Sequence, residues 1–112
     1  MNNTDFLANL HEVGLNDLDK VGGKNASLGE MLQNLTKLGI HIPGGFIITV
    51  AAYQHFIREN KLDDAIHSII NNITFDDIES LRRGGLQARQ LIKNSKFPQE
   101  LSKMIIAKYY EL

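Results

Sequence analysis

The sequence predicts an α+β fold, mostly helical with a few short strands. Three observations carry that expectation. Apolar residues recur at three- and four-residue spacing through most of the chain beyond residue 25, the mark of one-sided helices. Only two short stretches, 6–10 and 46–49, read as strands. Glycine, proline and asparagine cluster where one pattern gives way to the next.

Taken in order, residues 1–5 read as a frayed end and 6–10 as a short strand. Residues 12–19 form a polar connection in which Asn16 and Asp17 favour a turn or short helix. Leu28, Met31, Leu32, Leu35 and Leu38 then share a helical spacing, which places a helix over 25–37, closed by Gly39. Pro43, Gly44 and Gly45 make a turn, and the compact apolar run 46–49 reads as a buried strand. Ala52, Tyr53 and Phe56 line a helix over 50–60. Leu62, Ile66, Ile69 and Ile70 line another, stopped by Asn71 and Asn72. Thr74 is placed as the cap of a helix whose face carries Phe75, Ile78, Leu81, Gly85, Ala88 and Ile92. Gly84 and Gly85 each cost that helix about 1 kcal/mol relative to alanine, which close packing of another element would explain. Pro98 suits the first turn of a last helix carrying Leu101, Ile105, Tyr109 and Leu112.

With 112 residues there is room for one modest core. A net charge of −1 with interspersed signs gives no footing to nucleic-acid binding. No apolar run reaches the length of a membrane span, and the polar N-terminus is not a signal peptide. The chain has no cysteine, which excludes disulfides, thiolate metal sites and a cysteine nucleophile and fits a cytoplasmic protein.

The chemistry concentrates in Val21-Gly22-Gly23-Lys24-Asn25-Ala26-Ser27-Leu28-Gly29-Glu30-Met31. Two glycines let the backbone approach an anion. The first turn behind them offers unpaired N–H groups and the positive end of the helix dipole, and Lys24 adds a full charge on a flexible stem. These are the parts of a phosphate-binding corner, although the spacing is neither that of a Walker A loop nor of a dinucleotide fingerprint. The same residues also describe a plain turn followed by a solvated lysine.

Together with Leu38-Gly39-Ile40-His41-Ile42-Pro43-Gly44-Gly45-Phe46-Ile47-Ile48-Thr49-Val50-Ala51-Ala52-Tyr53-Gln54-His55-Phe56, this stretch resembles the N-terminus of the phosphoenolpyruvate synthase (pyruvate, water dikinase) family. It is more loosely similar to the related pyruvate phosphate dikinases and rifampin phosphotransferases. The likeness covers essentially the whole chain. It implies that residues 1–112 are a single partial domain, the first subdomain of an ATP-grasp-like nucleotide-binding domain that supplies one wall of the site. The family's Arg-Ser-Ser-Ala segment, its acidic magnesium ligands, its phosphohistidine domain and its pyruvate-binding domain are absent from these residues.

What the resemblance implies for function follows. The intact enzyme would convert pyruvate, ATP and water to phosphoenolpyruvate, AMP and phosphate through a phosphohistidine carrier, in pyruvate metabolism and gluconeogenesis. Lys24, Gly22 and Gly23 would bind the ATP phosphates, and no catalytic residue or metal ligand is expected in the fragment. ATP and Mg2+ belong to the intact enzyme, with nothing tightly held by the fragment alone. Pyruvate is a partner only of the intact enzyme, whose remaining domains this chain would contact; neither nucleic acid nor membrane is expected. A free-standing, non-catalytic nucleotide-binding or interaction module is the alternative reading, as is a fragment of a related dikinase or rifampin phosphotransferase.

The remaining candidates have plainer expectations. Ser27 and Glu30 stand at capping-box spacing, and a structural cap is expected of them. His11, His41, His55 and His67 miss the spacing of a helical metal pair. The pairs Asp63-Asp64 and Asp76-Asp77 sit near expected helix starts, where they complement the dipole.

Overall fold

The structure is a computed structural model and describes residues 3–112. It divides into two compact units, one made of the residues up to Gln54 together with Gln99–Leu112, the other of His55–Pro98.

The first unit opens with a 3-10 turn at Asn3–Phe6 and the strand β1, Leu7–Asn9. Two further 3-10 turns, Leu10–Glu12 and Leu15–Asp17, lead into the helix α1, Leu18–Lys37. The strand β2, Phe46–Ile48, pairs antiparallel with β1 in the register Leu7 to Ile48, Ala8 to Ile47 and Asn9 to Phe46. The helix α2, Val50–Glu59, follows, and α5, Gln99–Tyr110, completes the unit.

Two apolar clusters hold this unit together. Val13, Val21, Ala26 and Ile47 form one, flanked by Ala8 and Leu10. Phe6, Ala52 and Leu101 form the other, flanked by Ala51, Met104 and Ile105. The strand β1 is shorter than the expected 6–10 because Phe6 turns inward at the junction. Its carbonyl accepts the Thr49 N–H at 3.0 Å, and the Thr49 hydroxyl donates to the Asp5 carbonyl. Of the expected frayed end, Asn3 to Asp5 belong to the first 3-10 turn, while Met1 and Asn2 lie outside the described residues. The 46–49 run is buried on one side only: Ile47 is 4% exposed and Ile48 51%. A two-stranded sheet covered on one face accounts for that alternation.

The C-terminal end of α1 follows the expectation for Gly39. Its φ is +81°, its N–H donates to the Thr36 carbonyl at 3.0 Å, and the Ile40 N–H reaches back to the Leu35 carbonyl at 3.1 Å. This is the left-handed cap that only glycine enters without cost.

In the second unit the end of α2 is built the same way without glycine. The Lys61 N–H donates to the Arg58 carbonyl at 3.0 Å and the Leu62 N–H to the Ile57 carbonyl at 3.0 Å. Leu62 and Ile57 are both buried, the apolar contact that accompanies such a cap. Lys61 therefore sits at φ +53°, a conformation that crowds any side chain's Cβ. The side-chain amide of Asn60 closes the unit at its other end. Its Nδ2 donates to the Lys96 carbonyl at 2.9 Å while its Oδ1 accepts the Lys96 N–H at 2.9 Å.

The helix α3, Asp63–Asn71, carries Asp63 and Asp64 in its first turn and ends at Asn72, as the sequence suggests. The next helix, α4, Ile78–Lys93, starts later than expected. Asp77 rather than Thr74 caps it, its carboxylate accepting the Glu79 N–H at 3.1 Å. Thr74 instead donates its main-chain N–H to the Ser80 hydroxyl at 2.9 Å. Phe75 and Ile78 are 65% and 80% exposed, so neither lies on the packed face. Of the two glycines only Gly84 is explained by close packing, since a Cβ there would collide with the Ile73 side chain. A Cβ on Gly85 would meet only the movable end of Arg89. Pro98 directly precedes α5, and Leu112 lies beyond its end.

Two substitutions follow from this packing. Gly85→Ala should raise stability by about 1 kcal/mol, the helix-propensity difference, whereas Gly84→Ala should lower it by about 1–3 kcal/mol through overpacking. Urea midpoints of the two variants should shift in opposite directions. Lys61→Gly should stabilise by about 0.5–1 kcal/mol by relieving the left-handed residue, and an unchanged or lowered melting temperature would contradict that account.

Candidate functional site

The stretch singled out in the sequence lies on α1, and α1 is broken. Gly22 has φ 80° and ψ 165°, so a short first segment ends at Val21 and a second helix runs over 23–37. The helix was expected to start near Asn25 after a turn; it instead begins at Leu18 and restarts behind Gly22. No side chain enters that region of φ and ψ without strain, which makes glycine the residue the break requires.

Gly22, Gly23 and Lys24 fall consecutively at the restart. Gly22 is half-buried, and Gly23 and Lys24 are exposed. A restarted helix presents in its first turn the N–H groups and positive dipole end of any helix start. Among the described residues Lys24 enters no ion pair or hydrogen bond that would compete for its charge. Directly behind the corner the backbone is anchored: Val21 is 6% exposed and Ala26 is fully buried, both in the cluster with Val13 and Ile47. The side-chain amide of Asn25 donates to the Val21 carbonyl at 3.1 Å. In an unbroken helix that carbonyl is the acceptor for the Asn25 main-chain N–H. The side chain thus reaches across the break.

The second helix is pressed against the segment that precedes it. A Cβ on Gly29 would collide with the Val13 carbonyl and side chain and crowd the Leu10 carbonyl. Gln33 donates its amide to the Val13 carbonyl at 2.8 Å. Glu30 accepts the Leu15 N–H at 3.1 Å. Asp17 accepts the Gly14 N–H at 3.0 Å, fixing the turn between them. The expected pairing of Ser27 with Glu30 as a helix cap is therefore overturned. Both lie inside the helix, Ser27 is exposed, and Glu30 spends its carboxylate on the neighbouring turn.

A cleft of about 420 Å³ opens in this unit and reaches Val21, the residue before the break. Asp5, Glu12, Asp17, Asp19 and Lys20 contribute to its lining, and Gly22, Gly23 and Lys24 do not. The cleft is acidic, so it does not supply the charge an anion needs. At the corner itself Gly23 and Lys24 are exposed. Among the described residues no three His, Asp or Glu side chains are grouped to hold a metal ion, and no helix is long and apolar enough to cross a membrane.

Sequence reasoning singled out Gly22, Gly23 and Lys24 and passed over the contacts by which Asn25, Glu30 and Gln33 hold the backbone. Asn25 carried a readable signal, a short amide three residues after a glycine at a helix start. Gln33 carried none, because its partner is twenty residues away along the chain.

Residues 18–112 match the family described as pyruvate phosphate dikinase, AMP/ATP-binding domain. Curated relatives include the phosphoenolpyruvate synthase of Pseudomonas aeruginosa, 40% identical over 90% of this chain and 13% of its own length. That of Aquifex aeolicus is 43% identical over 92% of this chain and 12% of its own length. That of Escherichia coli is 38% identical over 91% and 13%. The chain thus spans about an eighth of the length of the relatives it matches. The broken helix start, with its glycines and exposed lysine, lies inside the matched region, and the chain belongs to the pyruvate phosphate dikinase AMP/ATP-binding domain family.

Proposed function

We propose that this chain is the N-terminal part of the ATP-binding domain of an enzyme that makes phosphoenolpyruvate. The enzyme converts pyruvate, ATP and water to phosphoenolpyruvate, AMP and phosphate through a phosphohistidine carrier. Residues 1–112 form part of one domain, and the carrier and pyruvate-binding domains lie in the remaining length of the enzyme. The observation that carries the reading is the break at Gly22 immediately before an exposed, unpaired Lys24, in a segment matched to an AMP/ATP-binding domain.

The chemistry assigned to the corner is electrostatic. Gly22 and Gly23 let phosphate oxygens come up to the main chain, where N–H groups of the restarted helix can donate to them. The Lys24 ammonium neutralises charge on the phosphates as one of them passes to the carrier histidine. The role assigned to the corner is to bind and stabilise the phosphates. Magnesium is assigned to the reaction of the intact enzyme. The reaction is that of a cytoplasmic metabolic enzyme working in gluconeogenesis, and a fragment of a related dikinase or rifampin phosphotransferase is the competing assignment.

Lys24→Ala in the full-length enzyme should abolish most ATP-dependent phosphorylation of the histidine, by about a hundredfold or more. Phosphoryl exchange between phosphoenolpyruvate and pyruvate should persist, since it takes place at the other end of the carrier's path. Histidine phosphorylation at the parent rate would reduce Lys24 to a solvated side chain. Because Lys24 is exposed, the variant should melt within about 0.5 kcal/mol of the parent.

The isolated 112-residue chain should bind ATP more weakly than about micromolar, corresponding to roughly −8 kcal/mol, and should form no phosphoenolpyruvate. Calorimetry with magnesium-ATP and an assay for pyruvate-dependent AMP check both. Tight binding, or turnover, would mean that this wall alone holds most of the site.

A further inference from the structure

The Asn25 side chain bridges the break in α1, and no part of the phosphate reading requires that. We infer that Asn25 is a positioning residue that holds the Gly22 break open and so fixes where the Gly23 and Lys24 N–H groups and the Lys24 side chain point. The inference rests on the reading of this corner as the ATP phosphate site.

The argument is geometric. Gly22 at φ 80° and ψ 165° interrupts the helix between Val21 and Gly23. On one side Val21 is held in the apolar cluster, and on the other Ala26 is held in the same cluster. Between them Gly22 and Gly23 carry no side chain, so packing cannot select their conformation. Two adjacent glycines have the widest choice of φ and ψ of any dipeptide. A side-chain contact that spans the gap is the Asn25 amide on the Val21 carbonyl at 3.1 Å. That bond also gives a side-chain donor to a carbonyl beside the apolar cluster. An aspartate at this position has no hydrogen to donate, and an alanine does not reach. A Lys24 held by a flexible pair of glycines would lose the fixed aim on which charge stabilisation depends.

The test uses the whole chain, labelled with nitrogen-15, and magnesium-ATP at millimolar concentration as the probe. Asn25→Ala and the similarly shaped Asn25→Leu both remove the donor, and both residues favour helix, so overall helicity and folding should survive in at least one of them. In the absence of nucleotide, hydrogen exchange at the Gly23 and Lys24 amides should speed up about fivefold to tenfold, the factor expected for one lost hydrogen bond. The ATP-induced shifts at those amides should need about five to ten times more ATP to saturate. In a Lys24→Ala background the same Asn25 substitution should add little, because two residues acting on one contact are not additive.

Unchanged exchange and unchanged ATP titration in both variants would overturn the role of Asn25 while leaving the phosphate site standing. A loss that adds in full to that of Lys24→Ala would also overturn it, since a purely structural residue behaves that way. If the parent chain itself shows no ATP-induced shift at Gly23 and Lys24, the site reading fails and this inference fails with it. Retained exchange changes in that case would separate the two failures, marking Asn25 as a holder of the break and nothing more.

Discussion

The first unit depends on one close approach, that of α1 to the segment just before it. Gly29 leaves room for the carbonyls of Val13 and Leu10 to lie against the helix backbone, a space that any Cβ would fill. Once the helix lies that near, Gln33 reaches the Val13 carbonyl and Glu30 the Leu15 N–H. Val13 is in turn brought onto Val21 and Ala26. Buried main-chain groups in a loop must find partners, and this helix supplies them from its own side chains. The turn at Gly14 to Asp17 is thereby tied to the helix, with Leu15 and Asn16 left exposed.

That anchoring gives the break at Gly22 its meaning. A glycine pair in a free loop samples many conformations and presents no defined surface. Here the chain is fixed on both sides of the pair, at Val21 and at Ala26, within a single cluster. The exposed residues between the two anchors are Gly23 and Lys24, for which phosphate binding is proposed. A rigid frame carrying a short polar surface element is the arrangement that binding to phosphate favours, because less order has to be imposed when the ligand arrives. Gly22, Gly23 and Lys24 lie inside the region, residues 18–112, that matches the AMP/ATP-binding domain family.

The second unit shows a different economy. The closures of α2 and of the 55–98 segment rely on single polar devices, the left-handed Lys61 and the Asn60 carboxamide paired with Lys96. Its apolar side chains are less deeply covered, with Ile57 and Leu62 the most buried. The exposed Phe75, Ile78 and Leu86 along 75–86 lie outside that core. Stability here rests more on caps and turns than on packing, and so the glycine at 85, which no contact requires, weighs against it.

Much of this was written into the sequence locally. The helix periods of α1 to α5, the stop at Gly39, the acidic first turn of α3 and the Gly22-Gly23-Lys24 corner all depend on residues a few positions apart. Interactions of that range are legible because propensity, spacing and capping act within one or two turns. Tertiary structure alone decided what those residues do. Glu30 has capping-box spacing from Ser27 yet bonds Leu15, because the helix starts a turn earlier and lies against the 10–15 segment. Asp77 rather than Thr74 caps α4 and Phe75 lies outside it, while Ile73 packs over Gly84. Asn25 became a bridge only because the burial of Val21 and Ala26 fixed the two sides of the break at hydrogen-bonding distance. A sequence states which groups are available. Which of two available partners a polar group takes is settled by the approach of distant backbone, and no local pattern encodes that distance.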